Sequence, residues 1–142
     1  MDTIPVLTVI KNNKFLFKDL NVEIDFKKVG KVGKALYLFY LNREKGANYK
    51  SLHKENFEDL FDHYMLQYSP IWKLNPTTAN VQVRKTILKN NLQKNLSTLI
   101  NRINKAFEIE LGPALAKSFS ITGPTDGVRK IDVDRHFVKF QK

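Results

Sequence analysis

Cysteine is absent from the 142-residue sequence, which excludes disulfide bonds and thiolate metal sites and is compatible with a reducing compartment. Long apolar runs are also missing, and the run from Ala35 to Leu41 is far shorter than the roughly 20 residues that span a bilayer. The N-terminal residues MDTIPVLTVIKNNK combine an early acid with only a short apolar run, so we expect no secretory signal. We therefore expect a cytoplasmic protein without a membrane partner.

Acidic residues are scarce in the middle of the chain. Residues 63–107 contain no aspartate or glutamate, whereas lysine and arginine occur there at Lys73, Arg84, Lys85, Lys89, Lys94, Arg102 and Lys105. The whole chain has 24 lysines and arginines against 14 acids, a formal net charge of +10 and a pI of about 9.8. A cationic excess concentrated in this way favours a polyanionic partner.

Residue types that carry enzyme chemistry are few. The three histidines show no helical metal-ligand spacing with a carboxylate base. Asp132, Asp134 and His136 alternate and would share one face of a strand, but three such groups on an exposed terminal strand are a weak indication of a metal site. Gly30 and Gly33 lie near lysines without the spacing or the Lys-Ser/Thr ending of a phosphate-binding loop. We expect no enzymatic activity, no cofactor and no metal.

Alternating apolar and polar residues predict β-structure at both ends of the chain. The runs VLTVIK, KFLFK and NVEIDF, within residues 6–26, predict an antiparallel meander. Near the other end, the turn sequence from Gly123 to Gly127 contains a proline that fixes one φ and a glycine that accepts a positive φ. It predicts a hairpin whose return strand carries Arg129 and Lys130, followed by a terminal segment that sends three residues into the core, Phe137, Val138 and Phe140.

Helical spacing dominates the residues between these strands. Lys31 to Glu44 predicts a helix that covers the sheet, and Ser51 to about Gln67 predicts a second helix with an acidic outer face. Pro76 to Lys89 predicts either a separate helix or an extension of the next one. After Phe107, Gly112-Pro113 is expected to break the helix and to be followed by a short turn.

The helix predicted over Asn91 to Glu108 has two contrasting sides. At about 100° per residue, one side holds the apolar residues Leu92, Leu96, Leu99, Ile100, Ile103 and Phe107, with Ala106 at its margin. The opposite side holds Lys94, Ser97, Thr98, Asn101 and Lys105, with Arg102 on the flank. Amide and hydroxyl groups can read base edges, and lysine and arginine can reach guanine edges or phosphates. The alternative interpretation is a solvated polar face on an ordinary amphipathic helix.

The order of the predicted elements resembles that of a winged helix-turn-helix. More closely, ALYLFYLNREKGANYKSLHK, LSTLINRINKAF and SFSITGPTDGVRKIDV resemble the first helix with its corner, the recognition helix and the wing of OmpR/PhoB-type effector domains. The resemblance implies an α+β fold with a single domain at 1–142. An N-terminal antiparallel sheet at 1–28 would precede a helical bundle at 29–110 and a C-terminal β-hairpin wing with its last strand at 117–142.

The resemblance also implies a function, sequence-specific binding of double-stranded DNA in transcription regulation. The third helix would enter the major groove and point Lys94, Ser97, Thr98, Asn101 and Lys105 toward bases and adjacent phosphates, with Arg102 facing the backbone. Arg129 or Lys130 of the wing would lie at the backbone or the neighbouring minor groove.

The sequence departs from the effector-domain pattern in two places. No receiver domain with its phosphoacceptor aspartate precedes the predicted sheet, so we do not expect phosphorylation control of the kind usual in that family. Residues 68–90 replace a compact loop and are a candidate interface for a homodimer or a regulatory protein partner. The alternative function is a winged-helix protein-interaction module in a larger complex, without direct reading of DNA.

Overall fold

The computed structural model describes residues 4–10, 14–48, 92–124 and 127–141. These residues form an α+β fold, as the sequence predicts, with an N-terminal sheet, a long helix and a C-terminal hairpin. The helices predicted over residues 51–67 and 76–89, and the candidate interface at 68–90, lie outside the described residues.

Strands β1 (Leu7–Ile10), β2 (Lys14–Phe17) and β3 (Val22–Glu23) form the predicted antiparallel meander. A fourth strand, β7 (Val138–Gln141), pairs in parallel with β1, so that the sheet order is β3-β2-β1-β7. Local sequence patterns do not predict this pairing, because a parallel partner from the far end of the chain leaves no turn signal.

One prediction for the terminal strand is wrong. Phe137 and Val138 pack against the core, but Phe140 is 55% exposed. Its register neighbour Val9 lies in the middle of the sheet and is buried, whereas Phe140 belongs to a strand at the end of the sheet order. A side chain on such an edge strand has a neighbouring strand on one side only, which explains the difference in burial.

Helix α1 spans Gly30–Leu41, and its last six residues, from Leu36 to Leu41, are all buried. The second half of α1 is therefore enclosed on every side and does not merely cover one face of a sheet. The helix ends three residues before the predicted end at Glu44. The side-chain amide of Asn42 donates to the carbonyl oxygen of Leu38 at 2.8 Å, and the backbone N–H of Asn42 donates to the same oxygen at 3.1 Å, so Asn42 makes two bonds to the last turn of the helix.

Helix α2 spans Leu92–Phe119 with a break at Gly112, where φ is 80° and ψ is 162°. The break was predicted, but the short turn after it was not found, because the chain resumes the helix. Pro113 fits the first turn after the break, where its missing N–H leaves no bond unmade. The predicted apolar side of α2 is buried at every described position, namely Leu96, Leu99, Ile100, Ile103, Ala106 and Phe107.

Strands β5 (Ile121–Thr122) and β6 (Val128–Ile131) form the predicted hairpin. A further strand, β4 (Ala47–Asn48), pairs with β6 and gives the order β4-β6-β5, although these residues had been interpreted as a simple link. Gly46 precedes β4 with a φ of +77°, and a Cβ atom there would overlap the carbonyl oxygen of Arg129. Only glycine allows the two backbones to approach this closely.

Candidate nucleic-acid interface

The outer face of α2, defined here as Thr98, Asn101, Arg102 and Lys105, is exposed at all four positions. Ser97 lies at its edge and is half-buried. The side chain of Lys94, the remaining residue predicted for this face, lies outside the described part of the chain. The structure thus places the four residues together on the side of α2 that faces away from the core.

Acidic side chains begin just beyond this face. The Nζ of Lys105 lies 3.9 Å from Oε1 of Glu108, and both side chains are about half exposed or more. An exposed pair of this kind contributes only about 0.2–1 kcal/mol, so Lys105 can exchange Glu108 for another anion at little cost. Glu110 follows two residues further on, and the cationic part of the outer face therefore ends at Lys105.

The hairpin is fixed beside α2 by Asn104. Its side-chain amide donates to the carbonyl oxygen of Ile121 at 2.9 Å, and its amide oxygen accepts from the N–H of Ile121, also at 2.9 Å. Asn104 therefore satisfies both backbone groups of one strand residue, as a neighbouring strand would. This contact sets the position of the hairpin relative to the outer face.

Arg129, predicted to be at the surface of the wing, is buried, with 6% of its surface exposed. Burial alternates along β6, in which Val128 and Lys130 are exposed and Arg129 and Ile131 are buried. Because successive side chains of a strand point to opposite faces, the burial of Ile131 also directs Arg129 inward. Of the two basic residues predicted on the wing, only Lys130 is placed where it can meet a large ligand.

The guanidinium group of Arg129 lies between the hairpin and both helices. Its Nη2 donates to Ser97 Oγ of α2 at 3.0 Å, while Nη1 is buried and has no hydrogen-bond partner among the described residues. Tyr40 of α1 is close enough to this charge for its pKa to be affected. Burial raises the pKa of Tyr40 to about 12, and the neighbouring Arg129 opposes part of that rise.

Lys130 is the exposed cation of the hairpin. Its Nζ lies 3.6 Å from Oδ1 of Asp132, and both side chains are more than half exposed. As for Lys105, such a surface pair is weak and is screened by salt.

A groove of about 510 Å³ runs along the flank of α2 opposite the hairpin. One wall is the loop between β3 and α1, and the other is α2 itself. Its lining consists of Asp25, Lys28 and Val29 from the loop and of Asn101, Arg102, Lys105, Ala106, Ile109 and Glu110 from α2. The sequence gives no indication of a role for Lys28, because a loop residue has no periodicity that would predict its neighbours.

The residues that the structure describes contain no group of three or more histidine, cysteine, aspartate or glutamate side chains arranged to hold a metal ion. Neither α1 nor α2 combines the length and the apolar character that a membrane-crossing helix requires.

Comparison with known proteins gives no relative for this chain. No protein-family model, no curated protein sequence and no solved structure matches it.

Proposed function

We propose that the chain binds double-stranded DNA in a sequence-specific manner through the outer face of α2, and that it acts in transcription regulation. The observation that carries the proposal is the exposure of Thr98, Asn101, Arg102 and Lys105 on one side of a helix whose other side is firmly buried. A helix of this kind is narrow enough to enter a major groove about 12 Å wide. Its two cations suit phosphates or guanine, and Asn101 suits adenine.

The overall charge supports a DNA partner for this face. With a net charge of +10, the chain attracts polyanions at long range, which raises the rate of encounter before any specific contact forms. The hairpin adds Lys130 on a second element that Asn104 fixes relative to α2. A ligand as long as a DNA duplex can contact both elements at once.

A winged helix-turn-helix is the architecture that we propose for the whole chain. Three features support it: a strand directly after α1, the pairing of that strand with the hairpin, and the position of the hairpin beside the exposed helix. In this arrangement α2 is the recognition helix and the β5-β6 hairpin is the wing.

The salt dependence of binding to duplex DNA tests the proposal. Each phosphate neutralised by the protein should contribute about −0.9 to the slope of log affinity against log salt concentration. The double variant Arg102→Gln/Lys105→Gln should lose about two such contributions, or nearly 2 in the slope. The double variant Lys117→Gln/Lys139→Gln removes the same charge from two exposed positions outside the outer face and is the matched control.

The two outcomes separate the two candidate functions. A loss of slope in the outer-face variant but not in the control supports DNA binding through α2. Feeble binding that is equally insensitive to both double variants contradicts it and supports a protein-interaction module.

A further inference from the structure

We propose that the groove beside α2 holds one strand of the DNA backbone, and that Lys28 contacts a phosphate from the wall opposite Arg102 and Lys105. This inference rests on the proposed function. It extends the interface from a single helix to the loop between β3 and α1, and it adds a contact that the sequence did not indicate.

Cations from two separate elements converge on the groove. Lys28 lies on the loop wall, and Arg102 and Lys105 lie on the helix wall; all three side chains are exposed and line the same space. A chain of phosphates passing along the groove can therefore be contacted from both sides. A helix that contacts DNA with its outer face alone would use only one of these walls.

The remaining lining of the groove also fits a phosphodiester strand. Val29 and Ala106 give it an apolar floor, and Ile109 on the rim is 67% exposed. A nucleic-acid backbone alternates charged phosphates with sugar rings that present mainly C–H groups. An apolar floor with cations at its edges is complementary to that alternation. A groove lined only by charged groups would be complementary to the phosphates but not to the sugars.

Two carboxylates also line the groove and would repel a phosphate. The inference can therefore be tested by a gain as well as by a loss of DNA affinity. Asp25 and Glu110 line the groove together with the three cations. The Oδ1 atom of Asp25 accepts a hydrogen bond at 2.9 Å from the backbone N–H of Lys27, so this carboxylate serves the loop structure. Asparagine at position 25 keeps the accepting oxygen and removes the charge, so it should raise DNA affinity without loosening the loop.

The neighbouring lysine supplies a matched control. Lys27 and Lys28 are both exposed and adjacent in sequence, but only Lys28 lines the groove. If DNA were attracted to basic surface in general, replacing either lysine would weaken binding equally. If a phosphate is held in the groove, only the replacement of Lys28 weakens binding.

The experiment measures the affinity of the full chain for one duplex across a range of salt concentrations. Lys28→Gln should lower the slope by about 0.9 and weaken binding about eightfold at 0.1 M salt, and Lys27→Gln should change neither. Asp25→Asn should strengthen binding severalfold, and Asp19→Asn, at an exposed acid outside the groove, should not. Thermal midpoints close to that of the unmodified chain show that each variant is folded.

The outcomes distinguish failure of this inference from failure of the proposed function. If Arg102→Gln/Lys105→Gln weakens binding but Lys28→Gln does not, the groove is not part of the interface and the proposed function stands. If Lys27→Gln and Lys28→Gln weaken binding equally, the contact is nonspecific and the inference is overturned. If no variant changes the slope, the proposed function fails together with the inference.

Discussion

Arg129 Nη2 donates a hydrogen bond to Ser97 Oγ at 3.0 Å, and this contact joins the buried face of the hairpin to the edge of the outer face of α2. The guanidinium group is thus a structural link between the two elements that we propose to contact DNA. Its neighbour Lys130 points the opposite way and is exposed. Two adjacent cations of one strand therefore have different surroundings, and we expect only the exposed one to contact DNA.

The first prediction distinguishes these two cations. Lys130→Gln should lower the salt slope of DNA binding by about 0.9, because it removes one phosphate contact. Arg129→Met removes the same charge from a buried position and should leave the slope unchanged. Equal losses of slope in the two variants would show that Arg129 reaches the DNA after a rearrangement of the hairpin.

The second prediction concerns Ser97. Ser97→Ala deprives Arg129 Nη2 of its acceptor while Nη1 is already without a partner among the described residues. An unsatisfied buried donor costs about 1–3 kcal/mol, and we expect a loss of that size in urea unfolding. Lys117→Ala, at an exposed position of the same helix, provides a comparison. A stability of Ser97→Ala equal to that of the unmodified chain would contradict the link.

The third prediction concerns Arg135, which joins α1 to the C-terminal part of the chain. Its Nε donates to Leu41 O at 2.7 Å and its Nη2 to Tyr40 O at 3.1 Å, both at the end of α1. Its Nη1 donates to Ile131 O at 2.9 Å and to Val133 O at 2.6 Å. The guanidinium thus pairs with the Leu41 carbonyl and adds a second donor to the Tyr40 carbonyl, which also accepts the backbone N–H of Arg43. Its charge complements the partial negative charge at the end of the helix.

Removing this group should therefore be costly. Arg135→Ala should lower the free energy of unfolding by about 4 kcal/mol, since four bonds are lost and each contributes roughly 1 kcal/mol. Lys139→Ala, at an exposed position of β7, should change it by less than about 0.5 kcal/mol. Urea denaturation of the two variants measures the difference. A loss in Arg135→Ala as small as that in Lys139→Ala would show that the four bonds do not stabilise the fold.

The fourth prediction concerns alkaline pH. Burial raises the pKa of Tyr40 from 10.0 to about 12, so the unfolded chain loses this proton at lower pH than the folded chain. The stability that follows from the shift is complete below pH 10 and is lost as the pH rises through 12. Tyr37, whose pKa burial also raises, adds to the same decline.

Tyr40→Phe tests the contribution of one tyrosine. Between pH 10 and 12, the free energy of unfolding of the variant should fall less steeply, by up to about 1.4 kcal/mol per pH unit. Unfolding titrations of both proteins across this range give the two slopes. Parallel declines would show that Tyr40 ionises equally easily in the folded and the unfolded chain.

The fifth prediction concerns sequence reading. Asn101→Ala should reduce the discrimination between base pairs at one position of the preferred site by about 1–3 kcal/mol, because an amide can pair with adenine through two hydrogen bonds. Selection from a randomised duplex pool, carried out with both proteins, compares the preferences. An unchanged preference would show that Asn101 contacts phosphate or solvent.

Local sequence patterns were sufficient to predict much of the fold. The apolar side of α2, the meander and the hairpin follow from periodicity and from turn residues, and the structure confirms each of them. The strand at Ala47–Asn48 and the parallel pairing of β7 were missed, because two residues carry no periodicity and remote pairing carries no local signal.

The candidate site likewise combines features that local sequence patterns predict with features that tertiary packing determines. Exposure of Asn101, Arg102 and Lys105 follows from the 100° spacing of a helix, which the sequence contains. The inward direction of Arg129 depends on which face of β6 is covered. The position of Lys28 in the groove depends on where the loop between β3 and α1 passes α2. Both are set by tertiary packing, so the sequence alone could not supply them.

The central claim, that the outer face of α2 contacts DNA, is tested most directly by chemical probes attached to single cysteines. The chain has no cysteine, so a DNA-cleaving iron chelate can be attached at one introduced position at a time. A probe at Glu108→Cys, an exposed position just beyond the outer face, should cut duplex DNA at a defined site. A probe at Lys14→Cys, the exposed first position of β2, should cut it weakly and without preference. Defined cleavage from position 14 and none from position 108 would contradict the account.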